Sequence, residues 1–195
     1  DIKNIIFDNK IQGIQFYRVS KKQYEADLIA NNYDPKDCLT ISKIPLPVRA
    51  TKGSAGYDFI SPVDIKFSIK NPLHKKGKGI YYLDRSSVIA IIPTGIRCKM
   101  PEGFVLTEVP RSGIGFKYGV SFLNTIGIID SDYFNAKNEG HIMLALRFEG
   151  GMNKEKEFVI KKGERICQGI FIRHYITESD NITTIRSGGI GSTGK

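Results

Sequence analysis

The stretch that decides the fold class is Val63-Asp64-Ile65-Lys66-Phe67-Ser68-Ile69, in which apolar and polar side chains alternate. Successive side chains of a β-strand point to opposite faces of the sheet, so this alternation predicts a strand with one buried face. Similar short runs, separated by turn sequences, cover residues 87–92, 96–100, 104–109, 142–148, 158–161 and 165–172. Many short strands divided by turns predict an all-β sandwich or barrel.

One helix is predicted, over Lys21–Ala30. Ser20 can cap its first turn, and Gln23 stands three residues later, which is the spacing of a capping box. Tyr24 and Leu28 are four residues apart and therefore share one face of the helix. Two asparagines and then a proline follow, and these residue types end helices.

Composition places the chain among ordinary globular proteins. Its 195 residues, 41% hydrophobic and 25% charged, suggest one domain that can bury a sizeable core. No apolar run approaches the ~20 residues that span a bilayer, so no membrane association is expected. Cys38, Cys98 and Cys167 are far apart and show no Cys-x-x-Cys spacing. They indicate reduced thiols and a cytoplasmic location.

The net charge of +9 favours an anionic partner. The lysine-rich stretch 70–79 contains proline and glycine but no Phe, Tyr or Trp side chain on which a base could stack. It is therefore predicted to be a solvated loop, and a nucleic-acid partner is not expected. The charge itself narrows the ligand to an anion and no further.

Five segments contain the residues suited to chemistry on such a ligand. Ile128 and Ile129 are predicted to be buried in a strand, and Asp130 to Tyr133 form its exit into a turn. Arg111, Ser112 and Gly113 offer a cation, a hydroxyl group and an unhindered amide to phosphate. In chain order the segments are Ala55-Gly56-Tyr57-Asp58-Phe59, residues 110–119 beginning Pro-Arg-Ser-Gly, Gly127-Ile-Ile-Asp-Ser-Asp-Tyr133, Gly163-Glu-Arg-Ile-Cys-Gln168 and Gly188-Gly-Ile-Gly-Ser-Thr-Gly194.

Together these five segments, in this order over residues 44–194, resemble the five motifs of the trimeric dUTPases, which cleave dUTP to dUMP and pyrophosphate. The resemblance implies a jelly-roll-like β-sandwich in a single domain, residues 1–195, that assembles as a homotrimer with sites at the subunit interfaces. Relative to the family, residues 20–43 look like an insertion that contains the short helix, and Lys137-Asn138-Glu139 looks like a smaller one. Residues 180–195 correspond to the family's flexible lid.

The resemblance also implies roles for individual residues. Asp130 would activate the attacking water as the catalytic residue, and Asp58 would hold waters of a Mg²⁺ ion bound to the triphosphate. Tyr133 would pack under the deoxyribose and leave no room for a 2′-hydroxyl group. The remaining substrate-binding residues would be Arg111, Ser112, Gly113 and Gln168 at the phosphates, Asn124 beside uracil, Gly127 in the third segment, and Arg186, Ile190, Gly191 and Ser192 in the lid. Ile190 replaces the aromatic residue usual in the family, and Arg186 lies one residue nearer the glycines.

Two other functions fit parts of the pattern. A dCTP deaminase shares the fold, but its catalytic glutamate would fall at Ala145, which cannot transfer protons. A non-catalytic relative that binds nucleotide or a protein partner is the second alternative, because fold does not fix function. The complete set of Asp58, Arg111, Ser112, Asp130 and Tyr133 favours catalysis.

Overall fold

A computed structural model of the chain describes residues 11–68, 80–82, 88–149, 157–184, 186 and 188. These residues confirm the all-β prediction, and none of their helices is long and apolar enough to cross a membrane. The helices are α1 (Lys21–Ala30) and α2 (Ser112–Tyr118). The strands are β1 (Gln15–Arg18), β2 (Val48–Arg49), β3 (Tyr57–Ile60), β4 (Ile65–Ser68), β5 (Ile80–Tyr82), β6 (Val88–Pro93), β7 (Ile96–Lys99), β8 (Phe104–Pro110), β9 (Val120–Phe122), β10 (Gly127–Asp130), β11 (Met143–Phe148), β12 (Glu157–Ile160) and β13 (Arg165–Arg173).

The strands of the described residues pair antiparallel in two larger sheets and two small ones. The first sheet has the order β10-β8-β13-β3-β2, and the second has the order β5-β6-β11-β9. Two-stranded pairs form between β1 and β7 and between β4 and β12. The pairing of β8 with β13 runs from Pro110 opposite Cys167 to Phe104 opposite Arg173. This long ladder fixes β8 in the first sheet, where it positions residues of the site.

Both larger sheets contribute to one buried apolar cluster. Phe59 and Leu106 come from the first sheet, and Ile92, Leu146 and Phe148 come from the second. Burying a side chain of this size stabilises the folded state by about 1.5–3 kcal/mol. Contacts of this kind hold the sheets together.

The alternating stretch forms a half-buried strand, as predicted. Ile65 and Phe67 are buried on β4, while Lys66 between them is exposed. The Phe67 ring packs against Phe148 with 5.6 Å between ring centroids. Ile69, the last residue of the quoted stretch, lies outside the described residues.

Helix α1 has the predicted bounds, but only half of the predicted capping box forms. The Ser20 hydroxyl oxygen accepts a hydrogen bond from the Gln23 amide at 3.1 Å. The Ser20 amide does not receive the side chain of Gln23; it donates instead to Glu139 Oε2 at 2.7 Å. Tyr24 and Leu28 are both buried, as their spacing predicts.

Helix α2 was not predicted, because its sequence contains two glycines and follows Pro-Arg like an ordinary turn. Arg111 is extended at its start, and Gly119 ends it with φ of 65°, a left-handed conformation that favours glycine. The helix is held by packing, since the rings of Tyr118 and Phe158 stack with their centroids 4.0 Å apart. Tertiary contact thus overrides weak local preference.

The prediction that Ile128 is buried is wrong. Its side chain is 56% exposed, whereas Ile129 is partly buried. The reason is that β10 is an edge strand of the first sheet, and its alternate side chains face away from the core.

Candidate active site

A cavity of about 270 Å³ lies where β10 and the turn after it meet β11. Ligand pockets typically have volumes of ~300–1,000 Å³, so this cavity suits part of a small molecule, such as one ring system. Five predicted site residues meet here, namely Asn124, Gly127, Asp130, Tyr133 and Arg186. The other lining residues are Glu108, Phe122, Ile128, Ile129, Met143, Leu144 and Ala145.

Asp130 lies at the mouth of this cavity beside a guanidinium group. It ends β10 and begins a 3₁₀ turn over Ser131–Asn135. Arg186 Nη2 donates to Asp130 Oδ2 at 2.5 Å, and its Nε donates to Asp132 Oδ1 at 2.9 Å. The Asp130 side chain is about half exposed, so water can reach the carboxylate. The arrangement places an accessible base next to a cation that can also bind an anionic ligand.

Tyr133 forms a fixed wall of the cavity. It is only 4% exposed, and its hydroxyl group donates to the His141 carbonyl oxygen at 2.9 Å. The same hydroxyl accepts a hydrogen bond from Asn138 Nδ2 at 2.7 Å. Burial raises the pKa of Tyr133, so the phenol stays protonated and keeps donating. The ring therefore presents a rigid apolar surface.

A second group of predicted residues lies along the neighbouring strands of the same sheet. Asp58 on β3 stands opposite Gln168 on β13. Asp58 Oδ1 is 3.3 Å from Arg111 Nε, and its Oδ2 accepts from Arg165 Nη1 at 3.0 Å. Gly56 makes room for Gln168, because a Cβ atom there would be 2.4 Å from Gln168 Oε1. The structure thus unites Asp58, Arg111 and Gln168, and it adds Arg165, to which the sequence had assigned no role.

Ser112 and Gly113 begin α2 directly after Arg111, and both are exposed. A Cβ atom at Gly113 would meet nothing within 4 Å, so the backbone is open to a ligand. The two residue groups are adjacent on β8, since Val109 pairs with Gln168 and Glu108 pairs with Gly127. One strand therefore links the cationic group to the cavity.

Glu108 is the lining residue that sequence reasoning missed. It is 1% exposed, and burial raises the pKa of its carboxyl group to about 8. Within the described residues, Oε1 has no hydrogen-bond partner. A Cβ atom on Gly127 would be 3.0 Å from Glu108 Cβ and 3.2 Å from Oε2, so glycine leaves space for this acid. The sequence signal that could have identified Glu108 is its position two residues after Leu106, which places both side chains on the buried face of β8.

The group of Asp58, Arg111, Arg165 and Gln168 contains one carboxylate that could bind a metal ion, that of Asp58. The described part of the chain contains no cluster of three or more His, Cys, Asp or Glu side chains that could hold a metal. A carboxylate has about four lone-pair sites, and the two arginines use two of those on Asp58. The remaining sites can accept hydrogen bonds from metal-bound waters. Asp58 thus fits an ion held mainly by a ligand's own phosphates.

Three predicted lid residues, Ile190, Gly191 and Ser192, lie outside the described residues. The lysine-rich stretch 70–79 lies outside them as well. Of the predicted lid, the described residues include 180–184, Arg186 and Gly188, and Arg186 reaches the cavity.

Comparison with known proteins relates this chain to one family. A protein-family model described as dUTPase matches residues 80–194. The deoxyuridine 5′-triphosphate nucleotidohydrolase of Lactococcus lactis subsp. lactis is 34% identical over an alignment of 154 residues, and the match covers 77% of this chain and 89% of that protein. The corresponding protein of Dictyoglomus turgidum is 36% identical over an alignment of 157 residues, and the match covers 77% of this chain and 91% of that protein.

Solved structures agree on the fold. The crystal structure of dUTPase from Streptococcus mutans superposes with a TM-score of 0.55 at 26% identity, covering 84% of this chain and 98% of that one. A mutant dUTPase from phage phi11 of S. aureus, whose structure reveals the coordination of a structural Mg(II) ion, gives a TM-score of 0.53 at 17% identity. It covers 89% of this chain and 99% of that one, and at this identity it speaks for the fold alone.

Proposed function

The chain belongs to the dUTPase family, and we propose that it hydrolyses dUTP to dUMP and pyrophosphate. The observation that carries the proposal is the cavity, in which Asn124, Gly127, Tyr133 and Asp130 surround a space suited to one ring system. Asn124 and Gly127 lie beside uracil, and the Tyr133 ring packs under the deoxyribose, where it excludes a 2′-hydroxyl group. A site that satisfies a base with specific hydrogen bonds rejects bases that leave its polar groups unpaired.

Hydrolysis begins with a water held by Asp130. The carboxylate accepts a proton from this water as its oxygen attacks a phosphorus atom in line with the departing pyrophosphate. Arg186 donates to Asp130 and Asp132 in the free chain, and in the complex its guanidinium group turns to the phosphates. Residues 180–195 then act as a lid in which Ile190, Gly191 and Ser192 cover the nucleotide.

Arg111, Ser112, Gly113 and Gln168 bind the triphosphate, whose charge they neutralise or satisfy with hydrogen bonds. Asp58 would hold Mg²⁺ through water, because its carboxylate retains lone-pair sites beside the two arginines. The chemistry that such an ion would supply is neutralisation of phosphate charge and orientation of the leaving group.

The active assembly is a homotrimer of jelly-roll subunits, each a single domain, with sites at the interfaces. Phe116 on α2, Ile128 on β10 and Ile182 in the tail leave large apolar side chains exposed, as an interface requires. Such an assembly has closed cyclic symmetry. Light scattering should give about three times the chain mass of 21.8 kDa. A fully active monomer would rule the trimer out.

With all three cysteines free, we assign the protein to the cytoplasm.

The activity is tested by measuring pyrophosphate release from dUTP, dCTP, dTTP and UTP with Mg²⁺ present. Release should be far faster from dUTP than from the other three, and equal rates on all four would refute the proposal. Ammonia release from dCTP would instead indicate deamination. The cavity argues against that reaction, because Ala145 stands where a deaminase would have its catalytic glutamate. Nucleotide binding without turnover would indicate a regulatory relative.

A further inference from the structure

The N-terminal helical segment, residues 20–43, is bonded to the turn that follows the cavity's tyrosine. The amide and hydroxyl groups of Ser20 donate to the two carboxylate oxygens of Glu139, each at 2.7 Å. Ser20 is the N-cap of α1, and Glu139 lies in the short segment 137–139. The two segments that look like insertions relative to the family therefore contact each other.

A second connection joins α1 to His141. Asp27 Oδ2 is 2.5 Å from His141 Nδ1, across 114 residues of sequence. The Gly95 amide donates to His141 Nε2 at 2.8 Å, so this nitrogen carries a lone pair and the ring proton must be on Nδ1. Asp27 thus accepts the Nδ1 hydrogen and fixes the tautomer and orientation of a fully buried imidazole. Gln23 Nε2 donates to the same Asp27 oxygen at 2.9 Å and holds it in place.

The turn that these bonds fix is the one that holds Tyr133. The Tyr133 hydroxyl donates to the carbonyl oxygen of His141 and accepts from the side chain of Asn138. Gly140 has φ of 67°, and a Cβ atom there would be 2.6 Å from the Tyr133 carbonyl oxygen, so the turn is tightly closed against Tyr133. A shift of residues 138–141 would therefore move the ring that lines the cavity.

We propose that the N-terminal helical segment positions Tyr133 for sugar selection, and that Asp27 and Glu139 are its positioning residues. Neither lines the cavity; both act through the 138–141 turn, whose carbonyl group accepts the Tyr133 hydroxyl hydrogen. The inference rests on the proposed function, since sugar selection presupposes a nucleotide in the cavity. It assigns to the helical segment a role that the family resemblance leaves open.

The test compares dUTP with UTP in Asp27→Ala and Glu139→Ala. A displacement of about 1 Å caused by a change far from the chemistry can cost ~10²-fold in rate, so we expect a partial displacement of Tyr133 in Asp27→Ala to lower the ratio of kcat/KM for dUTP to that for UTP about 10-fold. Glu139→Ala should cause a smaller fall, because Asp27 still holds His141. Asp27→Asn should retain most of the ratio, since its amide oxygen can accept the Nδ1 hydrogen.

Glu25→Ala is the matched control. Glu25 is a carboxylate on the same helix, 41% exposed and paired with Lys21. Its removal should leave the ratio unchanged. Leu28→Ala supplies a second control, because it destabilises the packing of α1 without removing a bond to the turn.

The outcomes separate the two proposals. A wild-type protein that does not distinguish dUTP from UTP refutes the proposed function itself. A selective wild type with an unchanged ratio in folded Asp27→Ala and Glu139→Ala overturns the positioning role. An equal fall in Leu28→Ala overturns it too, because general destabilisation would then suffice. Where Asp27→Ala fails to fold, Glu139→Ala decides the question, since its side chain is partly exposed.

Discussion

Replacing Glu108 by Gln should change how the stability of the protein depends on pH. Burial raises the pKa of this carboxyl group from an ordinary 4.5 to about 8. Between these values the unfolded chain has lost the proton while the folded chain keeps it, so folding becomes less favourable as pH rises. Each pH unit corresponds to about 1.4 kcal/mol, so this group alone lowers the free energy of unfolding by up to about 5 kcal/mol across the window. Glutamine does not titrate and removes this dependence.

Three ionisable groups on other elements, Cys98, Cys167 and Tyr133, interact electrostatically with Glu108. Burial raises the pKa of Cys98 on β7 to about 12 and that of Cys167 on β13 well above its usual value. Burial also raises the pKa of Tyr133. All three groups therefore stay neutral between pH 5 and pH 8, and the difference in stability between wild type and Glu108→Gln in this window reports on Glu108.

Urea unfolding of wild type and Glu108→Gln at pH 5, 6.5 and 8, at one protein concentration, measures the effect. The free energy of unfolding of wild type relative to the variant should fall by up to about 4 kcal/mol from pH 5 to pH 8. A further rise in pH should change the difference little, because both states are then ionised. A constant difference, within about 1 kcal/mol at all three values, would show that the carboxyl group is not held protonated.

Asp130→Asn should lower kcat by ~10²–10⁴-fold with little change in KM, because the water loses its base. Steady-state kinetics on dUTP measure this change, and undiminished turnover would show that Asp130 is not the base. Arg186→Met should raise KM for dUTP and leave dUMP binding, measured by calorimetry, nearly unchanged, since the lost cation serves the outer phosphates; equal losses for both ligands would contradict this. Gly140→Ala should destabilise the fold by about 1–3 kcal/mol through its positive φ, whereas Gly53→Ala, with open space around it, should not; urea unfolding compares the two. Tyr133→Phe should cost about 1–3 kcal/mol of stability, because the buried His141 carbonyl group loses its shorter hydrogen bond and keeps only the one from Asn138 Nδ2 at 3.4 Å; an equally stable variant would show that the Tyr133 hydroxyl group does not contribute to stability.

The features that could be predicted from the sequence are those with a local cause. Alternation alone predicts β4, because Ile65 and Phe67 need only a buried face to pack against. The bounds of α1 follow from Ser20 at one end and from Asn31, the C-cap, at the other. The ordered motifs likewise identify Asp58, Asp130 and Tyr133 as site residues without any information on their contacts.

The features that could not be predicted depend on residues far apart in sequence. Helix α2 is stabilised by the contact of Tyr118 with Phe158, which outweighs its two glycines. The exposure of Ile128 follows from the position of β10 at the edge of a sheet, which strand pairing alone determines. Asp27 and His141 meet across 114 residues, so neither residue signals the other. Local patterns specify elements, whereas the site depends on how those elements pack.

Two buried polar residues near Tyr133 differ in whether their polar atoms have hydrogen-bond partners. This difference distinguishes a residue that supports the fold from one that can bind a ligand. Both ring nitrogens of His141 have protein partners, as is usual for buried polar groups, so His141 is complete without a ligand. Glu108 Oε1 has no partner among the described residues, although the residue lines the cavity. A protonated carboxyl group can both donate and accept, and leaving a buried polar atom unpaired costs about 1–3 kcal/mol. A base that supplied the missing partner would recover this free energy on binding, whereas His141 has none to recover. Glu108 is therefore the buried polar residue whose environment nucleotide binding should alter, and the Asp27–His141 pair should stay as it is.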